Sequence, residues 1–287
     1  MKHLQKHFEV SERRACRVLG QPRSSQRYIS AKADIDTNLS QRIVALSREN
    51  PRYGYRRVWA LLRREGWAVN KKRVQRVWRK AGLMVPSKER KRRRMGASVN
   101  SITRRQAEYI GHVWSYDFAM DATEDGRRLK MMPIVEEYSR ECLALQTERS
   151  ITAEDVVATL ARLFAERGAP SFIRSDNGPE FIAKAVKRWL AASGVETLYI
   201  EPGAPWENAY SETFISRMRD ELLNREVFAN LMEAKVLAED YRDYYNHHRP
   251  HGALGYLTPT EFATIEALRF QDPGCSRELE FVQRLSS

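Results

Sequence analysis

The chain has 287 residues, 42% of them hydrophobic and 30% charged, which is room for about two domains at the usual ~100–200 residues each. Its mean hydropathy is −0.60, no apolar run approaches the ~18 residues of a membrane span, and the N-terminus has no apolar signal region. Three widely spaced cysteines (Cys16, Cys142, Cys275) form neither a disulfide framework nor a zinc pair and fit a reducing cytosol, so secreted, membrane and zinc-finger readings are excluded.

The net charge of +12 is unevenly spread. Residues 1–110 hold 29 Lys+Arg against 8 Asp+Glu, and residues 111–287 hold 20 against 29. Such a division predicts a polyanion, most simply a phosphate backbone, as partner of the first half, and a separate use for the carboxylates of the second. A merely solvated basic surface does not account for so large an excess.

Ser11 caps a first short helix with Ala15, Val18 and Leu19 on one face and Gly20 at its end. Pro22-Arg23-Ser24-Ser25 turns into a second short basic segment. From Asp36, Leu39, Ile43, Val44 and Leu46 predict a helix ending before Asn50-Pro51; Tyr55, Val58, Trp59 and Leu62, at i, i+3, i+4, i+7, predict the next. Residues 65–69 form a turn and Asn70 caps the helix that follows. There Val74, Val77, Trp78 and Ala81 make a narrow apolar stripe, while Lys71, Lys72, Arg73, Gln75, Arg76, Arg79 and Lys80 occupy the rest. One face suffices for packing, so the cationic remainder is left for an anion. Helix, tight turn, cationic helix is the helix-turn-helix arrangement, its second helix offered to the DNA major groove. An ordinary amphipathic surface helix is the competing reading, weakened by the lack of acidic partners. Residues 87–100, with Arg92, Arg93 and Arg94 at the centre of a basic run, cannot bury themselves and read as a linker that follows phosphates.

The acidic half alternates strands and helices. Residues 112–120, 127–135 and 141–146 read as three successive strands. Thr152 caps a helix striped by Val156, Leu160, Leu163 and Phe164 and ended by Gly168. A short strand over 171–175 and the turn Asp176-Asn177-Gly178-Pro179 follow, then a helix over 181–193, a strand over 196–200 and a long helix over 208–223. The order βββαβαβα predicts an α/β (α+β) protein whose mixed-sheet core is ribonuclease H-like, preceded by an all-α helix-turn-helix region.

Three carboxylates follow that architecture: Asp117 within the first strand, Asp176 at the end of the fourth, and Glu212 on the helix after the fifth. In this fold the first and fourth strands are neighbours and the last helix crosses their ends, so the three converge. Like charges in one cleft repel, and divalent cations relieve the repulsion; Mg²⁺ suits carboxylate oxygens, and two ions suit in-line phosphoryl transfer. Taken singly, Asp-Asn-Gly is most often only a turn, and a strand Asp or helix Glu is often structural. Their joint placement carries the expectation.

These residues lie in a series of ordered blocks: Arg52-Tyr53-Gly54-Tyr55-Arg56-Arg57-Val58, Trp114-Ser115-Tyr116-Asp117-Phe118, Tyr138-Ser139-Arg140-Glu141-Cys142-Leu143, Ser175-Asp176-Asn177-Gly178-Pro179-Glu180-Phe181, Pro205-Trp206-Glu207-Asn208, Arg219-Asp220-Glu221-Leu222-Leu223-Asn224, and the C-terminal Tyr245-Asn246, Arg249-Pro250-His251 and Leu254-Gly255-Tyr256. Over nearly its whole length the chain resembles the second-frame transposases of the insertion sequence 3 family, which carry a retroviral-integrase-like core. The resemblance implies that Asp117, Asp176 and Glu212 are the catalytic, metal-binding triad, with two Mg²⁺ ions per site and Mn²⁺ as substitute. It implies cleavage of the ends of a bacterial mobile element and joining of a 3′-hydroxyl to target DNA, with Arg219 on phosphate seven residues after Glu212. It implies as partners the terminal inverted repeats, target DNA, further copies of the chain, and a first-frame protein that supplies an extra helix-turn-helix and coiled coil, usually by fusion; this chain has no leucine heptads. Its place is then the bacterial cytoplasm, associated with the nucleoid, with no membrane. The expected division is a short helical segment over 1–34, the helix-turn-helix domain over 35–86, a basic linker over 87–109, the catalytic core over 110–230 and a helical docking arm over 231–287.

The chain departs from the family pattern at Ala209, often Gly; at Glu136, usually Asp; and at Ile215-Ser216, often Asn-Gly. Ile215 is expected near the active face, where an apolar group cannot replace an amide donor to DNA. The alternative function is therefore a catalytically impaired relic acting only as a sequence-specific DNA-binding protein; a ribonuclease H acting on RNA–DNA hybrids is the other rival. His247, His248 and His251 invite a metal reading, but Pro250 breaks their helical spacing and docking beside the core is preferred.

Overall fold

The computed structural model describes residue 5 and residues 7–27, 33–85, 106–175, 184–199 and 208–271, and the chain divides into two compact units at Val85 and Pro86. In the first unit, α1 (Glu12–Val18) starts at Ser11, whose hydroxyl accepts the Arg14 N–H at 3.4 Å. Glu12 ties it to α2 (Arg23–Arg27) through Arg27 at 3.0 Å. The remaining helices, α3 (Ala33–Glu49), α4 (Tyr55–Arg64) and α5 (Lys71–Lys80), each pack on the other two. Their apolar stripes meet as the periodicity requires: Leu39, Ile43 and Leu46 against Val58, Trp59 and Leu62 and against Val74 and Val77, all buried. Trp59 Nε1 donates to the Val69 carbonyl at 2.8 Å and pins the α4–α5 turn, in which Gly66 takes φ +84°. Asn70 caps α5 by accepting the Lys72 N–H at 2.8 Å. Several expected stripe residues fall short of the core: Val44, Tyr55 and Trp78 are half-buried, and Val18, Leu19 and Ala81, the last capping the end of α5, are exposed.

The second unit is built on one mixed sheet of β1 (Val113–Tyr116), β2 (Ala119–Ala122), β3 (Arg128–Glu136), β4 (Cys142–Glu148), β5 (Phe172–Ser175) and β6 (Glu196–Tyr199). β3 runs antiparallel to β4 on one side and to β1 and β2 on the other, while β5 is parallel to β1 and to β6. With β2 extending β1, the order is β4-β3-β1-β5-β6, the expected ribonuclease H-like sheet. The strand expected over 112–120 is split in two without losing register: Tyr116 faces Ile134 and Ala119 faces Met131. That register puts Asp117 opposite Pro133, which has no N–H to offer the ladder. The Asp117 side chain occupies the gap, Oδ1 accepting the Phe118 N–H at 2.7 Å.

Alternation along the strands sorts side chains onto two faces. On one, Trp114, Tyr116, Met132, Ile134 and Ile173 pack under α6 (Ala153–Arg167) and α7 (Lys184–Ala192) through Val156, Leu160, Leu163, Val186 and Leu190. A capping box between Thr152 and Asp155 starts α6, and Gly168, at φ +82°, ends it. On the other face Ala119, Leu129, Met131, Val135 and Cys142 pack under α8 (Ala209–Met218) and α9 (Leu231–His247) through Phe214, Ile215, Met218, Ala234, Ala238, Tyr241 and Tyr245. The segment expected to dock beside the core thus supplies part of it. The helix expected over 208–223 is α-helical only to Met218; a π-helical turn, Arg219–Leu223, follows, and the Asn224 N–H reaches back five residues to the Arg219 carbonyl at 2.9 Å. Beyond α9, α10 (Pro259–Gln271) places Glu266 to accept the Tyr138 hydroxyl at 3.0 Å.

Candidate active site

Asp117 leaves the sheet at the gap between β1 and β2. Tyr116 belongs to the α6–α7 face and Ala119 to the α8–α9 face, so the alternation turns Asp117 toward α8, where it is half-buried. Glu212 is on α8. Both carboxylates therefore belong to one side of the sheet, although 94 residues separate the elements at Asp117 and Glu212.

A specific contact joins those elements. Asn208, at the start of α8 and only 2% exposed, donates from Nδ2 to the Tyr116 carbonyl at 3.4 Å. Tyr116 precedes Asp117, and Glu212 lies four residues, one helical turn, beyond Asn208. The buried Asn208 Oδ1 and the Ser115 and Ser211 hydroxyls have no hydrogen-bond partner among the described residues. Ser115 and Ser211 are fully buried, and their small side chains leave room for α8 near β1.

β5 runs beside β1 with Arg174 opposite Ser115. Asp176 comes two residues after Arg174, as Asp117 comes two residues after Ser115, but Asp176 lies outside the described residues, as do Arg92, Arg93 and Arg94. Among the described residues no three His, Cys, Asp or Glu side chains gather as a metal-binding group. The two described members still suit a hard cation: both are oxygen donors, and although the Glu212 side chain is exposed, partial desolvation by the surrounding protein raises its carboxyl above the ordinary glutamate range, a cost that a nearby cation offsets.

Arg219 is exposed seven residues after Glu212, and the backbone remains α-helical up to it, so the two exposed side chains share a helical face about 10 Å apart along the axis. Ile215, expected near that face, turns inward and is buried with Phe214 and Met218. Glu136 is buried as well: its carboxylate accepts the Tyr138 N–H at 3.1 Å, the Ser139 N–H at 2.5 Å and the Ser139 hydroxyl at 2.6 Å.

On α5, Lys72, Arg76, Arg79 and Lys80 are exposed, whereas Lys71, Arg73 and Gln75 are half-buried; Lys71 Nζ lies over the Trp59 ring, 4.3 Å from its centroid. The three C-terminal imidazoles have separate partners. His247 Nδ1 is 3.0 Å from Asp243, His251 Nε2 is 3.0 Å from Arg249 Nη1, and the His248 ring stacks with Tyr244.

Some contacts around the site have no sequence signal. Arg174, 5% exposed on β5, donates from Nε to the fully buried Glu137 carboxylate at 2.9 Å. Arg140 lays its guanidinium 3.8 Å from the centroid of the Tyr210 ring on α8. Arg140 also takes a positive φ, +67°, which an Arg at that position does not announce as Gly or Asn would.

Residues 109–205 and 193–259 match two family models, each described as an integrase core domain, and residues 34–92 match one described as an HTH-like domain. The chain is 39% identical over 283 residues to an uncharacterized 31.7 kDa protein of insertion element IS407 from Burkholderia multivorans, covering 97% of this chain and 100% of that one. It is 30% identical over 240 residues to the transposase InsD of insertion element IS2 from Escherichia coli, covering 79% of this chain and 78% of the relative. The catalytic core domain of BIV integrase aligns in structure at a TM-score of 0.42 and 21% identity, over 56% of this chain and 99% of that one. No helix among the described residues is long and apolar enough to cross a membrane.

Proposed function

The chain belongs to the second-frame transposases of the insertion sequence 3 family, and we propose that it cleaves the ends of its mobile element and joins their 3′-hydroxyls to target DNA. The supporting observation is the Asn208–Tyr116 contact, which ties the helix of Glu212 to the strand of Asp117 on one side of the sheet. Asp117, Asp176 and Glu212 would hold two Mg²⁺ ions, with Mn²⁺ as substitute. Such a pair supplies charge neutralisation at the scissile phosphate and acidification of the attacking hydroxyl.

The chain's own residues do the rest. Asn208 holds α8 at a fixed place on β1, so the Glu212 carboxylate is carried on a rigid element. Arg219, exposed on the same helical face, binds a DNA phosphate beside it. Lys72, Arg76, Arg79 and Lys80 present the exposed cationic face of a helix-turn-helix to the terminal inverted repeats, with Lys71, Arg73 and Gln75 at its margins and Arg92, Arg93 and Arg94 following the backbone. The assembly on DNA contains several copies of the chain together with, or fused to, the first-frame protein, in the bacterial cytoplasm at the nucleoid.

The test is a strand-transfer assay with a labelled element end and Mg²⁺ or Mn²⁺. Joined products are expected from the unaltered protein and disappear in both Asp117→Asn and Glu212→Gln. Binding of the end with no metal-dependent product in any condition would instead identify a DNA-binding relic.

A further inference from the structure

The turn between β3 and β4 is built more heavily than a hairpin needs. The Glu136 N–H donates to the Glu141 carbonyl at 2.8 Å and the Arg140 N–H to the Glu136 carbonyl at 2.9 Å, while the Glu136 carboxylate gathers the donors of Tyr138 and Ser139 inside. Arg140 closes the turn at φ +67°, in the left-handed region that glycine or asparagine occupies at lower cost. The side chain on this strained backbone points inward: Nη1 donates to the Glu137 carbonyl at 2.5 Å and the guanidinium stacks on Tyr210.

The same turn faces two ways. Through Glu137 it pairs with Arg174, two residues before Asp176; through Arg140 it reaches Tyr210, two residues before Glu212. The apolar packing of α8, through Phe214, Ile215 and Met218, sets its distance from the sheet but tolerates small rotations about its axis, because it is not directional. A cation stacked on a ring and an amide bonded to a carbonyl are directional. The Arg140–Tyr210 stack and the Asn208–Tyr116 hydrogen bond both act on the first turn of α8 and oppose such rotation.

We infer that Arg140 is a positioning residue that acts through Tyr210 to set the orientation of Glu212 for strand transfer. This rests on the function proposed above. Arg140→Gly is the informative variant, because glycine accepts the left-handed backbone without strain while the whole Arg140 side chain, with its stack on Tyr210 and its bond to the Glu137 carbonyl, is removed. Tyr210→Leu removes the ring while leaving Arg140 in place, and Arg140→Lys keeps a cation for the ring.

In the labelled-end assay, Arg140→Gly and Tyr210→Leu are each expected to lower the rate at saturating DNA by about 10- to 100-fold, the scale of a displacement of about 1 Å. The DNA concentration giving half-saturation should stay near that of the unaltered protein, the thermal midpoint should fall by no more than the loss of one cation–π contact accounts for, the double variant should be no slower than the slower single one, and Arg140→Lys should recover most of the rate. An unchanged rate in Arg140→Gly would overturn the inference, as would a fall matched by an equal fall in DNA binding. Should Arg140→Gly fail to fold, Tyr210→Leu decides by the same criteria. Absence of joined product from the unaltered protein would overturn the function itself and the positioning role with it; an active protein indifferent to both substitutions would overturn the positioning role alone.

Discussion

The carboxamide of Asn246 pairs with the main chain of Cys142 as a neighbouring strand would: Oδ1 accepts the Cys142 N–H at 2.9 Å and Nδ2 donates to the Cys142 carbonyl at 2.8 Å. Cys142 opens the edge strand β4, and Asn246 comes from α9, so one side chain closes the sheet edge and fixes the helix to it. Asn246→Ala leaves the buried N–H without a partner and the carbonyl with only Arg242, at 3.5 Å. The expected destabilisation is about 2–4 kcal/mol, measured by urea denaturation. Asn246→Asp should be no better, because its second oxygen would meet the carbonyl. The Cys142 thiol reports the same opening: burial pushes its pKa far above the ordinary thiol range, so alkylation followed peptide by peptide should be slow in the native protein and faster in Asn246→Ala.

Arg249 and Glu221 form a buried, two-pronged pair at 2.6 and 2.7 Å between the loop after α9 and the π-helical turn that ends the Glu212 helix. Burial acts to lower the Arg249 pKa, but the Glu221 carboxylate outweighs it and holds the guanidinium well above its ordinary range. With both side chains at 7% exposure or less, Glu221→Gln leaves a buried cation uncompensated and should cost about 3–5 kcal/mol. Glu221→Leu combined with Arg249→Met should cost less than either single change. Denaturation of Glu221→Gln checks the first statement, and a cycle over the unaltered protein, Glu221→Leu, Arg249→Met and the double variant checks the second; the coupling should change little between low and high salt.

Most elements are legible in the sequence because their signals are local. Ser11, Asn70 and Thr152 cap the helices expected of them, and the stripes from Leu39, Val58, Val74 and Val156 reach the cores. The order of strands then places Asp117 and Glu212 on elements that meet. The misses come from pairs that sequence separates. The gap at Asp117 reflects Pro133 across the ladder, visible only once register is known. The π-helical turn contains Glu221, whose partner is 28 residues away, and the Glu137–Arg174 pair spans 37. Ile215 departs from expectation for a different reason: proximity to Glu212 along the chain does not fix the face, and three residues turn a helix by about 300°.

That orientation sets what Ile215→Asn will do. Were Ile215 directed at DNA, restoring the amide often found in the family would raise activity. It is 8% exposed among Phe214, Met218 and Tyr245, so the substitution buries an amide among apolar groups and forfeits aliphatic packing. The expected outcome is a destabilisation of about 2–4 kcal/mol in chemical denaturation with no gain in strand transfer per folded molecule. A rise in specific activity at undiminished stability would place the side chain on the DNA face after all.

On α5 the exposure pattern separates residues that composition alone treats alike. Lys72, Arg76 and Arg79 are exposed, whereas Lys71 is half-buried with its ammonium on the Trp59 ring. Each exposed residue changed to Ala should weaken binding to an element end and reduce the slope of log affinity against log salt by about 0.9 for each phosphate no longer neutralised. Weakening at one base position only, with the slope kept, would mark that residue as a base reader. Lys71→Ala should differ from both: it removes a cation–π interaction worth about 0.5–2 kcal/mol and with it some stability of the three-helix unit, leaving the salt slope nearly intact. Titrations of the four single variants at several salt concentrations, alongside their thermal midpoints, distinguish these outcomes.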